Sequence, residues 1–149
     1  MPILDNAQPR AVETSLPDLP PLRVLAAEDN ATNRIILQSM LKALGVTAEI
    51  ASSGDALLQR CEEEAFDVIL LDIAMPGRDG VETLQELRAR AALAGRPMPP
   101  ALAVTANAMT HQIADYIDKG FAGVVPKPLR AEELSRALAG CVASVVGTP

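Results

Sequence analysis

Five short, mostly aliphatic runs, four of them ending directly beside a polar or charged residue and the fifth one proline short of a lysine, govern what this chain can fold into. They are roughly Arg23–Ala27, Val46–Ala51, Asp67–Leu71, Ala101–Val104 and Phe121–Val125. Val68-Ile69-Leu70-Leu71 places four aliphatic side chains in a row, the pattern of a strand covered on both faces. Helical patterns fill the intervals. Leu37, Met40, Leu41 and Leu44 keep helical spacing behind Asn30, a suitable N-cap, and Gly45 ends that helix. A second helix carries Ala56, Leu57 and Cys61 and runs into Glu62-Glu63-Glu64. A third starts near Asp79 with Val81, Leu84 and Leu87 on one side, and a fourth runs from about Ala108 to Asp118. The fifth has Glu132-Glu133 in its first turn, favourable for the helix dipole, and an apolar face of Leu134, Leu138, Cys141 and Val142. Strand–helix alternation of this kind predicts an α/β domain, a doubly wound parallel sheet with helices on both faces.

The 149 residues favour one domain with a sizeable core. Hydrophobic residues make up 49% but aromatics only 2%, so that core must be aliphatic. A net charge of −6 argues against nucleic acid as a partner, since phosphate backbones are held by clustered Lys and Arg. No apolar run approaches bilayer-spanning length, and the first residues lack the regions of a signal peptide. No membrane partner is expected. Cys61 and Cys141 are isolated and read as small core hydrophobes in a reducing cytoplasm. Residues 1–21 hold five of the twelve prolines (Pro2, Pro9, Pro17, Pro20, Pro21) without an apolar period, and are expected to be a linker or disordered arm. Residues 22–145 then form the folded domain, and 146–149 a tail.

The strand ends carry the chemistry. Glu28-Asp29 follows the first run, Asp72 ends the third, Thr105 follows the fourth, and Lys127 follows the fifth. Open α/β sheets place their sites at the carboxyl ends of the strands. One aspartate there is ordinarily a turn residue or a helix cap. Three carboxylates, a hydroxyl and an ammonium on separate strand ends are a different matter: that inventory suits a metal-dependent phosphoryl acceptor. A carboxylate such as Asp72 can attack phosphorus and form an acyl phosphate. Glu28, Asp29 and Asp72 repel one another and an incoming phosphoryl group, and a hard divalent cation relieves this. Lys127 can pair with a phosphoryl oxygen and with Asp72, and the Thr105 hydroxyl can donate to another phosphoryl oxygen. Asp55 and Asp79 read as helix-start residues. His111 reads as a surface residue, Tyr116 as packing, and Glu62-Glu63-Glu64 as a solvated face.

Together, Glu28-Asp29, Asp72, Thr105 and Lys127-Pro128 resemble the receiver domain of two-component response regulators. The run Leu71-Asp72-Ile73-Ala74-Met75-Pro76-Gly77-Arg78-Asp79-Gly80 is highly specific to that family. Glu28-Asp29-Asn30 with Asn33-Arg34 looks especially like receivers attached to hybrid histidine kinases, which are usually joined through a Pro-rich linker. The resemblance implies a flavodoxin-like sheet of strand order 2-1-3-4-5. It implies Mg2+ (or Mn2+) held directly by Asp29, Asp72 and the backbone carbonyl of Ala74, with Glu28 acting through a water. It implies a phosphoryl group taken onto Asp72 from a histidine kinase or a histidine phosphotransfer protein, and a Thr105 donation that reorganises the loop after the fourth strand. An output protein or a kinase domain would read that change. The Lys127-Pro128 bond is expected to be cis. Such a module is not a turnover enzyme, although it catalyses its own phosphorylation and hydrolysis.

Two alternatives are weaker. A phosphorylation-independent interaction module of this fold usually loses the acceptor or the lysine, and both stand here. Aspartyl-nucleophile phosphatases carry Asp-x-Asp-x-Thr, and Asp72-Ile73-Ala74 lacks the second acid. The chain departs from the family at two positions. Val124 stands where many receivers have an aromatic residue, and Pro126 immediately precedes the lysine. Proline is tolerable in a strand only at an edge.

Overall fold

The computed structural model describes residues 19–146. Five strands, β1 (Arg23–Ala27), β2 (Thr47–Ala51), β3 (Val68–Asp72), β4 (Ala101–Thr105) and β5 (Gly123–Pro126), alternate with five helices. These are α1 (Ala31–Ala43), α2 (Gly54–Glu63), α3 (Gly80–Ala94), α4 (Thr110–Asp118) and α5 (Ala131–Val146). All strand pairs are parallel, in the order β2-β1-β3-β4-β5, the flavodoxin-like arrangement expected. Most of the Pro-rich arm and of the short tail inferred from sequence lies outside the described residues. Leu19, the first of them, packs beside the core under α1 and α5.

Alternation along the central strands explains the aliphatic runs. Val24, Ala26, Val68, Leu70, Leu102 and Val104 face Leu37 and Leu41 of α1 and Leu134 and Leu138 of α5. Leu25, Ala27, Ile69, Leu71, Ala101 and Ala103 face Leu57 and Leu58 of α2 and Leu84 and Leu87 of α3. Both faces of the three central strands are therefore dry, and these strands are apolar except at their ends, whereas the edge strand β2 carries Thr47 and Glu49. Helix starts follow the side chains. Asn30 accepts from the Asn33 N–H, Ser53 from the Ala56 N–H, and Asp79 forms a capping box with Glu82.

Element ends differ from the sequence reading by one or two residues, for identifiable reasons. β2 starts at Thr47 because the Val46 N–H closes α1 by donating to the Leu41 carbonyl. β5 starts at Gly123 because the Phe121 N–H likewise closes α4 on the Tyr116 carbonyl. α4 starts at Thr110, two residues later than expected, and Gln112 donates its backbone N–H to the Met109 carbonyl. β3 and β4 run one residue further, to Asp72 and Thr105, because the ladder continues through Asp72 opposite Val104. Pro126 lies opposite Thr105 in the edge strand β5. The Lys127 N–H points inward to the Thr105 carbonyl, so alternation turns the missing donor of Pro126 toward the open edge. The Lys127-Pro128 bond is cis, as expected.

One close approach fixes the loop after β3. A Cβ on Gly80 would lie 2.7 Å from the Asp72 carbonyl oxygen and 2.9 Å from the Ile73 Cα, both backbone atoms. On Gly140, inside α5, it would meet nothing within 4 Å. The same chemical change should thus have opposite signs at the two positions. Gly80→Ala is expected to destabilise by about 1–3 kcal/mol through overpacking. Gly140→Ala should stabilise by up to about 1 kcal/mol through helix propensity. Urea unfolding midpoints of the two variants check this.

Candidate functional site

Four strand ends deliver the polar groups to one place. Glu28 and Asp29 follow β1, whose direction is held by the Glu28 N–H donating to the Ala51 carbonyl. Asp72 is the last residue of β3, and the next N–H, of Ile73, donates to the Val104 carbonyl. Thr105 ends β4, and its carbonyl accepts from the Lys127 N–H at 2.8 Å. Each side chain therefore leaves a backbone that a parallel ladder already fixes.

The structure brings the acids together with the lysine. Carboxylate oxygens of Glu28, Asp29 and Asp72 all lie within 4.8 Å of one another. Lys127 Nζ stands 3.2 Å from Asp72 Oδ1 and 3.6 Å from Glu28 Oε1. Glu28 and Asp72 are each only 3% exposed, whereas Asp29 is exposed. Backbone donors steady the buried pair: the Ala74 N–H to Asp72 Oδ1 at 3.2 Å, and the Asn30 N–H to Glu28 Oε2 at 3.1 Å. Ala74 sits in the loop directly after Asp72. Thr105, 4% exposed, accepts the Asn107 N–H on Oγ1 at 2.9 Å. Burial pushes the Glu28 carboxyl above its usual range, and the negative Asp72 pushes the same way. The Asn30 N–H and Lys127 oppose this.

Two residues at the site have roles the sequence did not reveal. Arg34, in the first turn of α1, donates Nη1 to the Glu28 carbonyl at 3.1 Å and to the Asp29 carbonyl at 2.9 Å. It clamps the loop that carries both acids. The only signal was its place in the Asn33-Arg34 pair. Tyr116 of α4, read as a packing residue, does pack edge-on against Phe121, but its hydroxyl also lies 3.5 Å from Thr105 Oγ1. Among the others, Asp79 caps α3, Asp55 pairs with Arg78, and His111 is exposed on α4. The acidic run is an exposed face, as expected, and there Glu62, Glu63 and Glu64 pair with Arg90, Arg60 and Arg23.

Chemically, the arrangement is a buried carboxylate with an ammonium at contact distance, a buried hydroxyl on the neighbouring strand end and an excess of hard anionic oxygens. Without a divalent cation the acids should destabilise the fold. The folded Glu28 pKa lies above its unfolded value, so its favourable contribution is present at low pH and fades as pH rises through the folded value. In a chelator at neutral pH, Glu28→Gln should therefore melt higher than the native chain. The gap should close as pH falls and Glu28 is protonated. Thermal melts across that range check the sign.

Comparison with known proteins adds to this geometry. The family model for the response regulator receiver domain matches residues 24–139. The sensor protein GacS of Pseudomonas syringae pv. syringae is 32% identical over 133 residues, covering 86% of this chain but 14% of that protein. The chain thus spans a small part of this curated relative. The receiver domain of sensor histidine kinase PA1611 from Pseudomonas aeruginosa PAO1, with magnesium coordinated in its active site cleft, matches with a TM-score of 0.69. It is 26% identical, over 87% of this chain and 100% of that one. A co-crystal of the Saccharomyces cerevisiae histidine phosphotransfer protein Ypd1 with the receiver domain of Ssk1 matches with a TM-score of 0.76. At 23% identity over 85% of this chain and 94% of the matched one, it shows the fold. No helix among the described residues is long and apolar enough to cross a membrane.

Proposed function

The chain belongs to the response regulator receiver domain family, and from that premise we propose that Asp72 is its phosphoacceptor in a two-component phosphorelay. The observation that carries this reading is Lys127 Nζ at 3.2 Å from Asp72 Oδ1, inside a cluster of three carboxylates. A carboxylate oxygen of Asp72 attacks the phosphorus of a phosphohistidine. The O–P bond forms, the N–P bond breaks, and the imidazole leaves with the bonding pair. Phosphoryl transfer depends more on positioning and charge stabilisation than on further covalent chemistry. Lys127 holds Asp72 in place and meets a phosphoryl oxygen. The buried Thr105 hydroxyl, its lone pair already fixed by the Asn107 N–H, turns its proton to another.

The donor set fits a hard divalent cation. It offers only oxygens, and one ammonium leaves three neighbouring carboxylates undercompensated. Mg2+ or Mn2+ would be held by Asp29, Asp72 and the backbone carbonyl of Ala74, with Glu28 acting through a water. When bound, the ion neutralises the acids and the phosphoryl oxygens.

The donor is a phosphohistidine on a histidine kinase or a histidine phosphotransfer protein, a class of partner that the Ssk1 receiver meets in Ypd1. The phosphorylated domain signals to an output protein or a kinase domain. Its own residues promote both phosphorylation and hydrolysis, and its setting is the cytoplasm. Incubation with acetyl phosphate and magnesium should add one phosphate, read by intact mass. A chelator should abolish the adduct, and so should Asp72→Asn. A phosphate that persists in Asp72→Asn overturns the assignment.

A further inference from the structure

We propose that Tyr116 is the positioning residue that carries the state of Thr105 to helix α4. The inference rests on the phosphoacceptor reading of Asp72. Its starting point is the hydrogen-bond balance of the Thr105 hydroxyl, which has one proton and two acceptor lone pairs. The Asn107 N–H occupies one lone pair at 2.9 Å. Tyr116 Oη stands 3.5 Å away, a contact longer than a formed O–H···O hydrogen bond, so a small approach of the two groups makes one and a small separation loses it. In the resting chain the Thr105 proton can turn to Tyr116. A phosphoryl group on Asp72 takes that proton instead. Tyr116 then keeps its contact only by reversing roles, donating its own proton to the remaining Thr105 lone pair. Because the contact is already long, making that bond draws the ring toward Thr105.

The attachment of α4 makes this movement consequential. None of the residues Thr110–Asp118 is buried, and only Gln112 and Tyr116 are even half-buried. Met109, Ile113 and Ile117 are exposed at 65%, 37% and 44%. Tyr116 is thus the main side chain joining the helix to the sheet. Its ring lies edge-on to the buried Phe121, centroids 6.1 Å apart and planes at 86°. It also shares its apolar cluster with Val124 of β5. A displacement of the ring therefore moves α4 against β5 and shifts the exposed Met109, Ile113 and Ile117 with it.

The chain reports this residue directly, since Tyr116 is its only tyrosine and it has no tryptophan. Beryllium fluoride with magnesium serves as the phosphoryl mimic, and 19F NMR shows whether it binds. On binding, the tyrosine emission of the native chain should change, and Asp72→Asn should show neither binding nor change. Amide hydrogen exchange over residues 110–118 should respond in the native chain and in Val124→Ala. It should lose that response in Tyr116→Phe, which keeps the ring and removes only the hydroxyl, while acetyl phosphate still phosphorylates this variant. Mimic bound with unchanged emission, or an exchange response that survives in Tyr116→Phe, overturns the inference and leaves the phosphoacceptor reading standing. No mimic bound and no phosphate on Asp72 removes that reading, and this inference with it.

Discussion

Glu28 and Asp72 lie side by side, almost fully buried, with a single ammonium between them, and the rest of the structure is arranged around that fact. Like charges at such range are costly when water is excluded. The pair is held by fixed donors: the Asn30 N–H on Glu28, the Ala74 N–H on Asp72, and Lys127 across both. None of these donors is free to relax away. Asn30 also caps α1, Ala74 sits in the loop pinned by Gly80, and Lys127 is tied to Thr105 through its backbone. The repulsion is thereby retained in the fold, and the proposed divalent cation would relieve it. Burial of aliphatic side chains on both faces of the sheet, at about 25 cal/mol per Å2, offsets the cost.

The same sheet sets up a contrast in rigidity. β1, β3 and β4 are buried at nearly every position, and α1, α2, α3 and α5 each bury leucines against them. α4 buries nothing. A hydrogen bond contributes only about 0.5–1.5 kcal/mol net. The 3.5 Å approach of Tyr116 to Thr105 is weaker than that, but it acts on a helix attached through only two half-buried side chains, whereas the sheet is held by fully buried ones. Motions that accompany function are drawn from the least stable parts of a fold. A proton turned from one acceptor to another at Thr105 can thus reposition α4 without disturbing the strands that align the acids.

Much of this was legible in the sequence, for a physical reason. A strand covered on both faces must be aliphatic throughout, so Val68–Leu71 announced itself, and the carboxylate of Asp72 marked where the apolar core gives way to a polar pocket. The caps at Asn30 and Asp79 and the cis Lys127-Pro128 bond were anticipated for similarly local or motif-borne reasons. Element ends were not, because Val46 and Phe121 are apolar and β-compatible yet spend their N–H groups closing helices. The clamp from Arg34 to two carbonyls leaves no pattern, since carbonyls are common to every residue. Tyr116 was half legible. Its spacing identified a packing position, while its approach to Thr105 depends on how α4 returns across the sheet edge.

The departures at Val124 and Pro126 acquire a common sense in this geometry. Val124 is half-buried in the cluster that also holds Tyr116. A valine there is small and stiff about χ1, so it has no second position from which to report a change. The large amphipathic side chain of this region stands instead on α4, with its ring in the apolar cluster and its hydroxyl at Thr105. Tyrosine suits such a place because one end is apolar and the other needs a partner. Pro126 sits opposite Thr105, with the Lys127 N–H on the Thr105 carbonyl just beyond it. Its fixed φ and outward-facing ring nitrogen hold the backbone of β5 at that point. With β5 fixed on one side of Thr105, the freedom that remains lies on the other side, where the hydroxyl meets α4.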